Sequence, residues 1–363
     1  MSIHVTPAAC ARLTVDLDAL AANFHRLSAA AGPAECGAVI KADAYGLGVE
    51  PVARRLFGEG CRRFFVANAG EGVQLRGLLP EADIYVFEGA VAGREDALLA
   101  AGLVPVLNSI DQIRCWRAAA RGAASAVHID TGMSRLGLSA AEVQQVAAQR
   151  LLDDLELAYV ITHLACADEP AHPLTDEQIE RFEALRAMLP EARTSIGSSP
   201  GLLLDAAYRG DLVRPGIALY GGNPFAGGGS PMQPVVTAEG VILQVRTVTE
   251  PVPVGYGATY TAQPPARLAT VGVGYADGYP RALSNRGVGW LAGTRVPLVG
   301  RVSMDLMTLD VSAVAPEAAR EGGLVELVGA NVPLDDVARA AGTISYEILT
   351  GLGRRWARRY IGA

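Results

Sequence analysis

The stretch Ala38-Val39-Ile40-Lys41-Ala42-Asp43-Ala44-Tyr45-Gly46-Leu47-Gly48 joins a short apolar run to a lysine and two glycines. A run of β-branched residues is typical of a buried strand. Lysine is rarely buried without a partner, so Lys41 at the end of such a strand needs a chemical reason. It could simply mark the exit into solvent, or it could be an amine nucleophile that holds a carbonyl compound as a Schiff base. Gly46 and Gly48 would allow a sharp turn or the close approach of a ligand.

This strand is the first of eight predicted between Ala11 and Gly222, where strand-like runs alternate with helix-like, alanine-rich stretches such as Ala140–Gln149 and Asp176–Leu189. Such alternation predicts a parallel sheet, and eight repeats favour closure into a (β/α)8 barrel. A doubly wound open sheet is the alternative, but no Gly-x-Gly-x-x-Gly turn opens a helix here. The predicted strands are Ala38–Ala42, Phe64–Asn68, Ile84–Glu88, Val104–Asn108, Ala126–Thr131, Ala158–His163, Thr194–Ser198 and Val213–Tyr220.

The composition changes at the glycine-rich segment 221–231, which is typical of a linker. Beyond it, short valine-rich runs broken by proline and glycine predict a small β-rich domain with one helix at Leu334–Ala341. The predicted domains are therefore a barrel at residues 1–225 and a β-rich domain at 226–363. An extra strand, Leu13–Leu17, could pair with the second domain. The valine-rich runs are Val241–Val248, Leu268–Val273, Arg295–Val299, Met307–Val311 and Leu324–Val328.

Composition restricts the class of protein. With 363 residues, half of them hydrophobic and 19% charged, the chain has the composition of a soluble globular enzyme. A net charge of -7 argues against nucleic acid as a partner, and the basic tail Arg354–Arg359 is predicted to be a solvated helix or strand end. The five scattered cysteines indicate reduced thiols rather than a disulfide framework or a zinc site. No signal peptide is predicted within Met1–Ala11 and no membrane span anywhere, so we expect a cytoplasmic protein.

Several polar residues fall at the carboxyl ends of the predicted strands, where (β/α)8 enzymes carry their active sites. Lys41 ends the first strand, Arg135 follows the fifth and His163 ends the sixth; Ser199 follows the seventh and Arg214 lies in the eighth. The hydroxyl of Ser199 and the backbone N–H groups around Gly216 would make a phosphate cradle. A Schiff-base lysine and a phosphate site in one barrel mouth suggest pyridoxal phosphate as cofactor.

A set of motifs in order along nearly the whole chain closely resembles the alanine racemases, which pair a (β/α)8 barrel with a β-rich C-terminal domain. The motifs are Val39–Gly46, Asp130–Gly137, Arg214–Gly221, Gly255–Tyr260, Gly274–Tyr279, Gly300–Asp305 and Thr343–Glu347. The resemblance implies an isomerase that interconverts L-alanine and D-alanine, with a role in D-alanine biosynthesis or in alanine catabolism. Racemisation removes a proton from one face of Cα and returns one to the other, so two bases are the simpler design.

The resemblance also implies roles for individual residues. Lys41 and Tyr256 are the expected bases, and cationic or hydrogen-bonding neighbours such as His163 and Arg135 would let Tyr256 act. Arg214 is expected to face the pyridine nitrogen of the cofactor, with His163 bonded behind it. The expected phosphate ligands are Tyr45, Ser199, Gly216, Ile217 and Tyr346.

The substrate carboxylate is expected to meet Arg135 and the main chain at Met304. The resemblance places Tyr256 and Met304 in the partner subunit, which implies a head-to-tail homodimer with shared active sites. The expected access corridor comprises Asp168, Tyr275, Arg281, Arg301 and Ile344.

The chain departs from the family pattern at two positions. Many members have a carbamylated lysine where this chain has His128, and that lysine orients the substrate-binding arginine. His128 cannot form a carbamate; when neutral it can hydrogen-bond Arg135, whereas an imidazolium would repel it. Ser198 replaces a frequent asparagine beside the phosphate-binding serine.

Three other functions remain open at the level of sequence. The same chemistry could act on serine or on several amino acids, because an apolar pocket discriminates one hydroxyl only weakly. A related barrel decarboxylase would place a carboxylate opposite the ring nitrogen, and Arg214 argues against that. A non-catalytic pyridoxal-phosphate-binding barrel would have no use for the domain that carries Tyr256.

Overall fold

The computed structural model describes residues 10–120 and 122–362, so most of the segment Met1–Ala11, in which no signal peptide is predicted, lies outside the described residues. Within them, no helix is both long and apolar enough to cross a membrane. The helices are α1 (Leu17–Ala31), α2 (Lys41–Tyr45), α3 (Val49–Gly58), α4 (Ala69–Leu78), α5 (Glu95–Ala100), α6 (Ile110–Ala119), α7 (Ala140–Ala148), α8 (Leu174–Arg186), α9 (Ser199–Leu204), α10 (Leu334–Ala341) and α11 (Ser345–Gly351). The strands are β1 (Ala11–Asp16), β2 (Glu35–Cys36), β3 (Ala38–Val39), β4 (Arg63–Val66), β5 (Asp83–Val86), β6 (Val104–Leu107), β7 (Ala124–His128), β8 (Glu156–Ile161), β9 (Arg193–Ser195), β10 (Leu212–Val213), β11 (Val236–Val248), β12 (Val252–Val254), β13 (Tyr260–Ala262), β14 (Ala266–Val271), β15 (Val288–Leu291), β16 (Thr294–Pro297), β17 (Met307–Asp310), β18 (Leu324–Val328) and β19 (Ala357–Ile361).

The N-terminal strands form a closed parallel barrel. Strands β3 to β9 make one sheet in chain order, and β10 joins its two edges. On one side β10 pairs in parallel with β2, and the Val39 N–H donates to the Pro215 carbonyl at 2.9 Å. On the other side the Arg214 N–H donates to the Gly197 carbonyl at 2.7 Å. The predicted (β/α)8 barrel is confirmed; each strand ends earlier than predicted, because the chain turns there into the loops that carry polar residues.

Side-chain caps begin several of the barrel helices, and those at Asn68 and Ser109 lie just after a strand. The Asn68 side chain accepts from the Glu71 N–H at 3.0 Å, and the Ser109 hydroxyl accepts from the Gln112 N–H at 3.2 Å. Ser139 and Glu142 form a reciprocal capping box. Such caps satisfy backbone donors that the first turn of a helix leaves free. The strand-to-helix turns are therefore ordered at one end of the barrel.

The C-terminal part is β-rich, as predicted. Its main sheet has the order β16-β15-β18-β11-β1-β19. Strand β14 also pairs with β11, β17 pairs with β14, and β12 and β13 form a separate hairpin. Strand β1 pairs antiparallel with β11 and parallel with β19, so the extra N-terminal strand does join this sheet. Helix α10 has the predicted bounds, and the basic tail ends in β19. The predicted domain boundary at residue 225 stays a prediction.

The barrel and the large sheet share one continuous apolar core, and a smaller cluster lies under the β12–β13 hairpin. Polar contacts add to this connection next to Lys41. Arg358 donates to the Gly46 carbonyl at 2.9 Å, and the Tyr360 hydroxyl donates to the Leu47 carbonyl at 2.8 Å. The second domain is therefore packed directly against the turn that carries the lysine.

Candidate active site

Lys41 begins a strained turn rather than ending a strand. It follows β3 at the start of α2, in which residues 42–45 all have φ between 53° and 56°. Left-handed backbone costs about 1–2 kcal/mol for each such non-glycine residue, so contacts with neighbouring groups must stabilise this turn. The Glu71 carboxylate does so by accepting from the N–H groups of Ala42 and Ala67, each at 2.8 Å. The turn is thereby tied to the end of the next barrel strand.

Gly46 and Gly48 make room for the second domain. Both have positive φ, and a Cβ on Gly46 would lie 2.5 Å from the Leu349 carbonyl oxygen. A Cβ on Gly48 would lie 2.2 Å from the Tyr360 hydroxyl. These distances are shorter than any real contact, so the glycines permit both a sharp turn and the close approach of protein groups.

One cavity of about 770 Å³ at the carboxyl ends of the barrel strands collects most of the predicted site. Its lining includes thirteen residues singled out from the sequence: Lys41, Tyr45, His128, Arg135, His163, Asp168, Ser198, Ser199, Arg214, Gly216, Ile217, Ile344 and Tyr346. Tyr256 and Met304 are not among its lining residues. Burial and the nearby Arg135 guanidinium lower the pKa of Lys41, an effect that Glu71 partly opposes. A lowered pKa makes the free amine more accessible as a nucleophile and base.

A hydroxyl and backbone cradle forms one end of the cavity. The buried Ser199 Oγ accepts from the N–H groups of Gly216 and Ala218, at 2.9 and 3.3 Å, which leaves the hydroxyl proton available to an anion. A Cβ on Gly216 would lie 2.2 Å from the Tyr45 hydroxyl, so only glycine fits there. The Tyr45 and Tyr346 rings lie 5.9 Å apart. Three hydroxyl groups therefore line this end.

Arg214 is a buried guanidinium with neutral partners. Its terminal nitrogens donate to the Ser195 hydroxyl at 2.6 Å and to the carbonyls of Thr162 and Ile196 at 2.8 and 3.3 Å. Among the described residues no carboxylate forms a salt bridge with it and no partner engages Nε. Burial lowers its pKa to about 10, so it remains a cation at neutral pH. It also makes no described hydrogen bond with His163, in contrast to the arrangement that the resemblance implied.

Two histidines line the same electropositive cavity. Burial, together with the positive charges of Arg214 and Arg135, lowers the pKa of His163 to about 3. Burial and Arg214 lower the pKa of His128 to about 4, although Asp130 opposes this shift. Both rings are therefore neutral at physiological pH, because charging either one would add a cation to a site that already holds several.

The loop that carries Arg135 is ordered by Asp130. One oxygen of this carboxylate accepts from the N–H groups of Gly132, Met133 and Ser134, at 3.0, 2.9 and 3.1 Å. The Arg135 side chain itself is exposed and makes no hydrogen bond with another described residue. The loop is thus fixed while the guanidinium that it carries is free to meet a ligand.

Tyr256 and Met304 lie on the exposed face of the second domain, with 71% and 53% of their surfaces accessible. Tyr256 begins a short 3₁₀ turn, and a Cβ on Gly257 in that turn would lie 3.0 Å from the Arg301 guanidinium. The Met304 carbonyl accepts from the Ala276 N–H at 2.9 Å. A single chain therefore does not bring Tyr256 to Lys41. The predicted corridor residues are also solvent-accessible: Asp168, Tyr275, Arg281, Arg301 and Ile344.

Comparison with known proteins identifies the family. The model of the alanine racemase N-terminal domain matches residues 15–224, and that of the alanine racemase C-terminal domain matches residues 235–360. The chain belongs to the alanine racemase family. It is 50% identical to the alanine racemase of Rhodospirillum rubrum, over 98% of this chain and 96% of that protein. It is 48% identical to the catabolic alanine racemase of Agrobacterium fabrum, over 97% of this chain and 92% of that protein.

Solved structures of alanine racemases have the same fold. The crystal structure of the Bartonella henselae enzyme with covalently bound pyridoxal phosphate aligns with a TM-score of 0.93. That match has 38% identity and covers 98% of this chain and 100% of the other. The biosynthetic alanine racemase of Pseudomonas aeruginosa aligns with a TM-score of 0.91 and 36% identity, over 97% of this chain and 99% of that one.

Sequence reasoning missed three residues that support this alanine racemase site. Asn108 bonds His128, Glu71 holds the Lys41 turn, and the Gln178 amide nitrogen donates to the His163 carbonyl at 3.0 Å. Asn108 could have been noticed, because it follows a strand end as the other site residues do. Glu71 and Gln178 lie on helices whose polar pattern is that of an ordinary surface.

Proposed function

We propose that this chain interconverts L-alanine and D-alanine with pyridoxal phosphate as its cofactor. The observation that carries the proposal is a single cavity with a lysine amine on one wall and a hydroxyl cradle at one end, in a member of the alanine racemase family. A member at 38% identity has the cofactor covalently bound. The reaction class is isomerisation.

The lining residues fit this cofactor. Lys41 offers the amine for the covalent link, Arg214 a donor for the ring nitrogen, and the hydroxyls and N–H groups around Ser199 offer donors for a phosphate. When bound, the cofactor supplies an electron sink for the carbanion that forms at Cα of the amino acid. The proposed cofactor-binding residues are Lys41, Tyr45, His163, Ser199, Arg214, Gly216, Ile217 and Tyr346.

Arg214 favours racemisation over other reactions of the same cofactor. A guanidinium can donate a hydrogen bond to the ring nitrogen, but it holds its own protons too tightly to protonate that ring. The negative charge would then stay closer to Cα, where it would be reprotonated promptly. The absence of a carboxylate beside Arg214 among the described residues also argues against a barrel decarboxylase.

The second base and part of the substrate site would come from another subunit. We propose that Lys41 serves one face of Cα and that Tyr256 of a second copy serves the other. The exposure of Tyr256 and Met304 supports this, because neither lines the cavity of its own chain. The substrate carboxylate would meet Arg135 and the main chain at Met304. A head-to-tail homodimer with two shared sites follows.

We also propose a cytoplasmic location and a role in D-alanine biosynthesis. All five cysteines are free, which is usual for proteins of reducing compartments. The reaction is reversible, so the same site could serve alanine catabolism, the role named for the Agrobacterium fabrum relative.

The test is a chiral assay of purified holoenzyme with L-alanine in deuterated water. We expect D-alanine with deuterium at Cα. A Tyr256→Phe variant should lose net racemisation yet still exchange the Cα proton of one enantiomer, because one base remains. Tyr260→Phe, four residues away in the same domain, is the matched control and should behave as the wild type.

Two outcomes would contradict the proposal. If alanine remains L with the cofactor visibly bound, the substrate is wrong, and serine is assayed next as the alternative. If Tyr256→Phe racemises at the wild-type rate, the two-base assignment is wrong.

A further inference from the structure

The ring of His128 is held in one orientation by Asn108. His128 Nδ1 lies 2.9 Å from Asn108 Oδ1. The Asn108 amide nitrogen donates to the carbonyls of Phe87 and Val106, at 2.9 and 2.7 Å, and Asn108 is buried. Carbonyls can only accept, so the amide nitrogen must face them and the amide oxygen must face the histidine. His128 Nδ1 is therefore the protonated ring nitrogen.

The other ring nitrogen follows from the first. A neutral imidazole with its proton on Nδ1 has a bare Nε2, which is a hydrogen-bond acceptor. Burial and Arg214 lower the pKa of this histidine to about 4, which keeps the ring neutral in the working range. Nε2 has no hydrogen-bond partner among the described residues, and His128 lines the cavity that also contains Arg135.

The backbone keeps His128 beside the loop that carries Arg135. The His128 carbonyl accepts from the Leu138 N–H at 2.7 Å, so the two ends of the loop that carries Arg135 are hydrogen-bonded to each other. Gly137, with φ of +107°, lies against the ring, since a Cβ there would be 3.1 Å from His128 Cγ. The Arg135 guanidinium, free of other described hydrogen bonds, is on this short loop.

We propose that His128 is a positioning residue for Arg135, and that its bare Nε2 accepts a hydrogen bond from the guanidinium and orients it towards the substrate carboxylate. A guanidinium has five N–H donors, and a carboxylate occupies two of them in a bidentate pair. A third donor is then available to Nε2. The buried amide of Asn108 fixes the acceptor, so the arrangement needs no ionised group behind Arg135. This inference rests on the proposed racemase function.

The first test compares two substitutions in the holoenzyme. His128→Phe fills the same space without an acceptor, and we expect the KM for L-alanine to rise roughly ten- to hundredfold, as for loss of a hydrogen bond to a charged group. The value of kcat should change much less. His128→Gln offers an amide oxygen near the position of Nε2 and should restore most of the affinity. A purely structural role would lower the thermal stability of both variants without this separation of KM from kcat.

The second test observes the ring directly, without turnover. Nitrogen-15 NMR of histidine-labelled holoenzyme should show a protonated Nδ1 and an unprotonated Nε2 for one of the five histidines. That signal should disappear in His128→Gln. A ring with its proton on Nε2, or an imidazolium at neutral pH, would overturn the inference.

The outcomes separate this inference from the proposed function. If the wild-type protein does not racemise alanine, the proposed function fails. If the wild type racemises alanine and His128→Phe has an unchanged KM, the function stands and the positioning role of His128 is wrong.

Discussion

Each carboxylate oxygen of Glu71 accepts a hydrogen bond from a backbone N–H group. One donor is Ala42, just after Lys41, and the other is Ala67, at the end of the next barrel strand. We expect Glu71→Gln to destabilise the protein by about 1–3 kcal/mol, because the amide NH₂ would face a backbone donor and leave it unpaired. The value of kcat should also fall as the Lys41 turn relaxes. Urea unfolding and steady-state kinetics check this. Glu50→Gln, which removes only an exposed ion pair with Arg54, is the control and should change stability by under about 1 kcal/mol.

The two cavity histidines predict how stability depends on pH. Their pKa values are lowered from 6.5 to about 4 for His128 and about 3 for His163. Between pH 6.5 and each lowered pKa, the histidine is protonated in the unfolded chain but neutral in the folded one. The free energy of unfolding should therefore be highest above pH 6.5 and decrease as the pH falls towards 4.

Urea unfolding between these pH values measures how steeply the free energy of unfolding changes with pH. His128→Gln should have a shallower slope than the wild type, because one of the two groups is gone. Equal slopes for the two proteins would show that His128 protonates as easily in the folded state as in the unfolded one.

At the scale of elements, the left-handed turn α2 and helix α11 form one packing unit. Gly46 has φ of +83° and a Cβ there would meet the Leu349 carbonyl at 2.5 Å, whereas Gly60 has φ of +96° and nothing within 4 Å. Gly60→Ala should therefore lower the free energy of unfolding only by the backbone strain, about 1–2 kcal/mol. Gly46→Ala should lower the free energy of unfolding distinctly more and should also lower kcat, because the added Cβ would displace either α11 or the turn that carries Lys41.

Thermal and urea unfolding of the two alanine variants, with kcat for each, test this packing. Gly60→Ala is the matched control, since it has the same type of backbone without the contact. If both variants lose similar stability and kcat, glycine is needed at position 46 only for its backbone conformation and not for the contact with the second domain.

The elements themselves were predictable to different degrees. The eight barrel strands and α10 were predicted because a period of apolar residues is a local property. The hairpin of β12 and β13, strand β15 and helix α11 were not predicted, because they are short and lack a clear period. Nothing in Ala42–Tyr45 favours left-handed backbone; that conformation depends on Glu71 and on the second domain.

At the scale of the whole molecule, the proposed site needs two chains. Lys41→Ala and Tyr256→Phe variants should each fail to racemise alanine, yet a mixture that is unfolded and refolded together should regain roughly one quarter of the wild-type racemase activity. In a mixed dimer one site combines both lesions and the other combines Lys41 with an intact Tyr256. Half of the dimers are mixed, and each has one working site.

Mass measurement should show a species of twice the 37.8 kDa chain. Refolding either variant alone is the control and should regain nothing. A monomeric species, or a mixture without activity, would contradict the shared site, because within any single chain of that mixture one base is always missing.

The sequence by itself determined the barrel and the β-rich second domain, since apolar periodicity is carried by neighbouring residues, and a short motif predicted the proposed chemistry at Lys41. Only the tertiary structure decided the partners of the site residues. Asn108 and His128 are 20 residues apart, and β1 pairs with β11 across more than half of the chain. Which nitrogen of His128 is protonated and why Arg214 has neutral partners depend on such distant contacts, because a hydrogen bond or a charge effect is set by position in space.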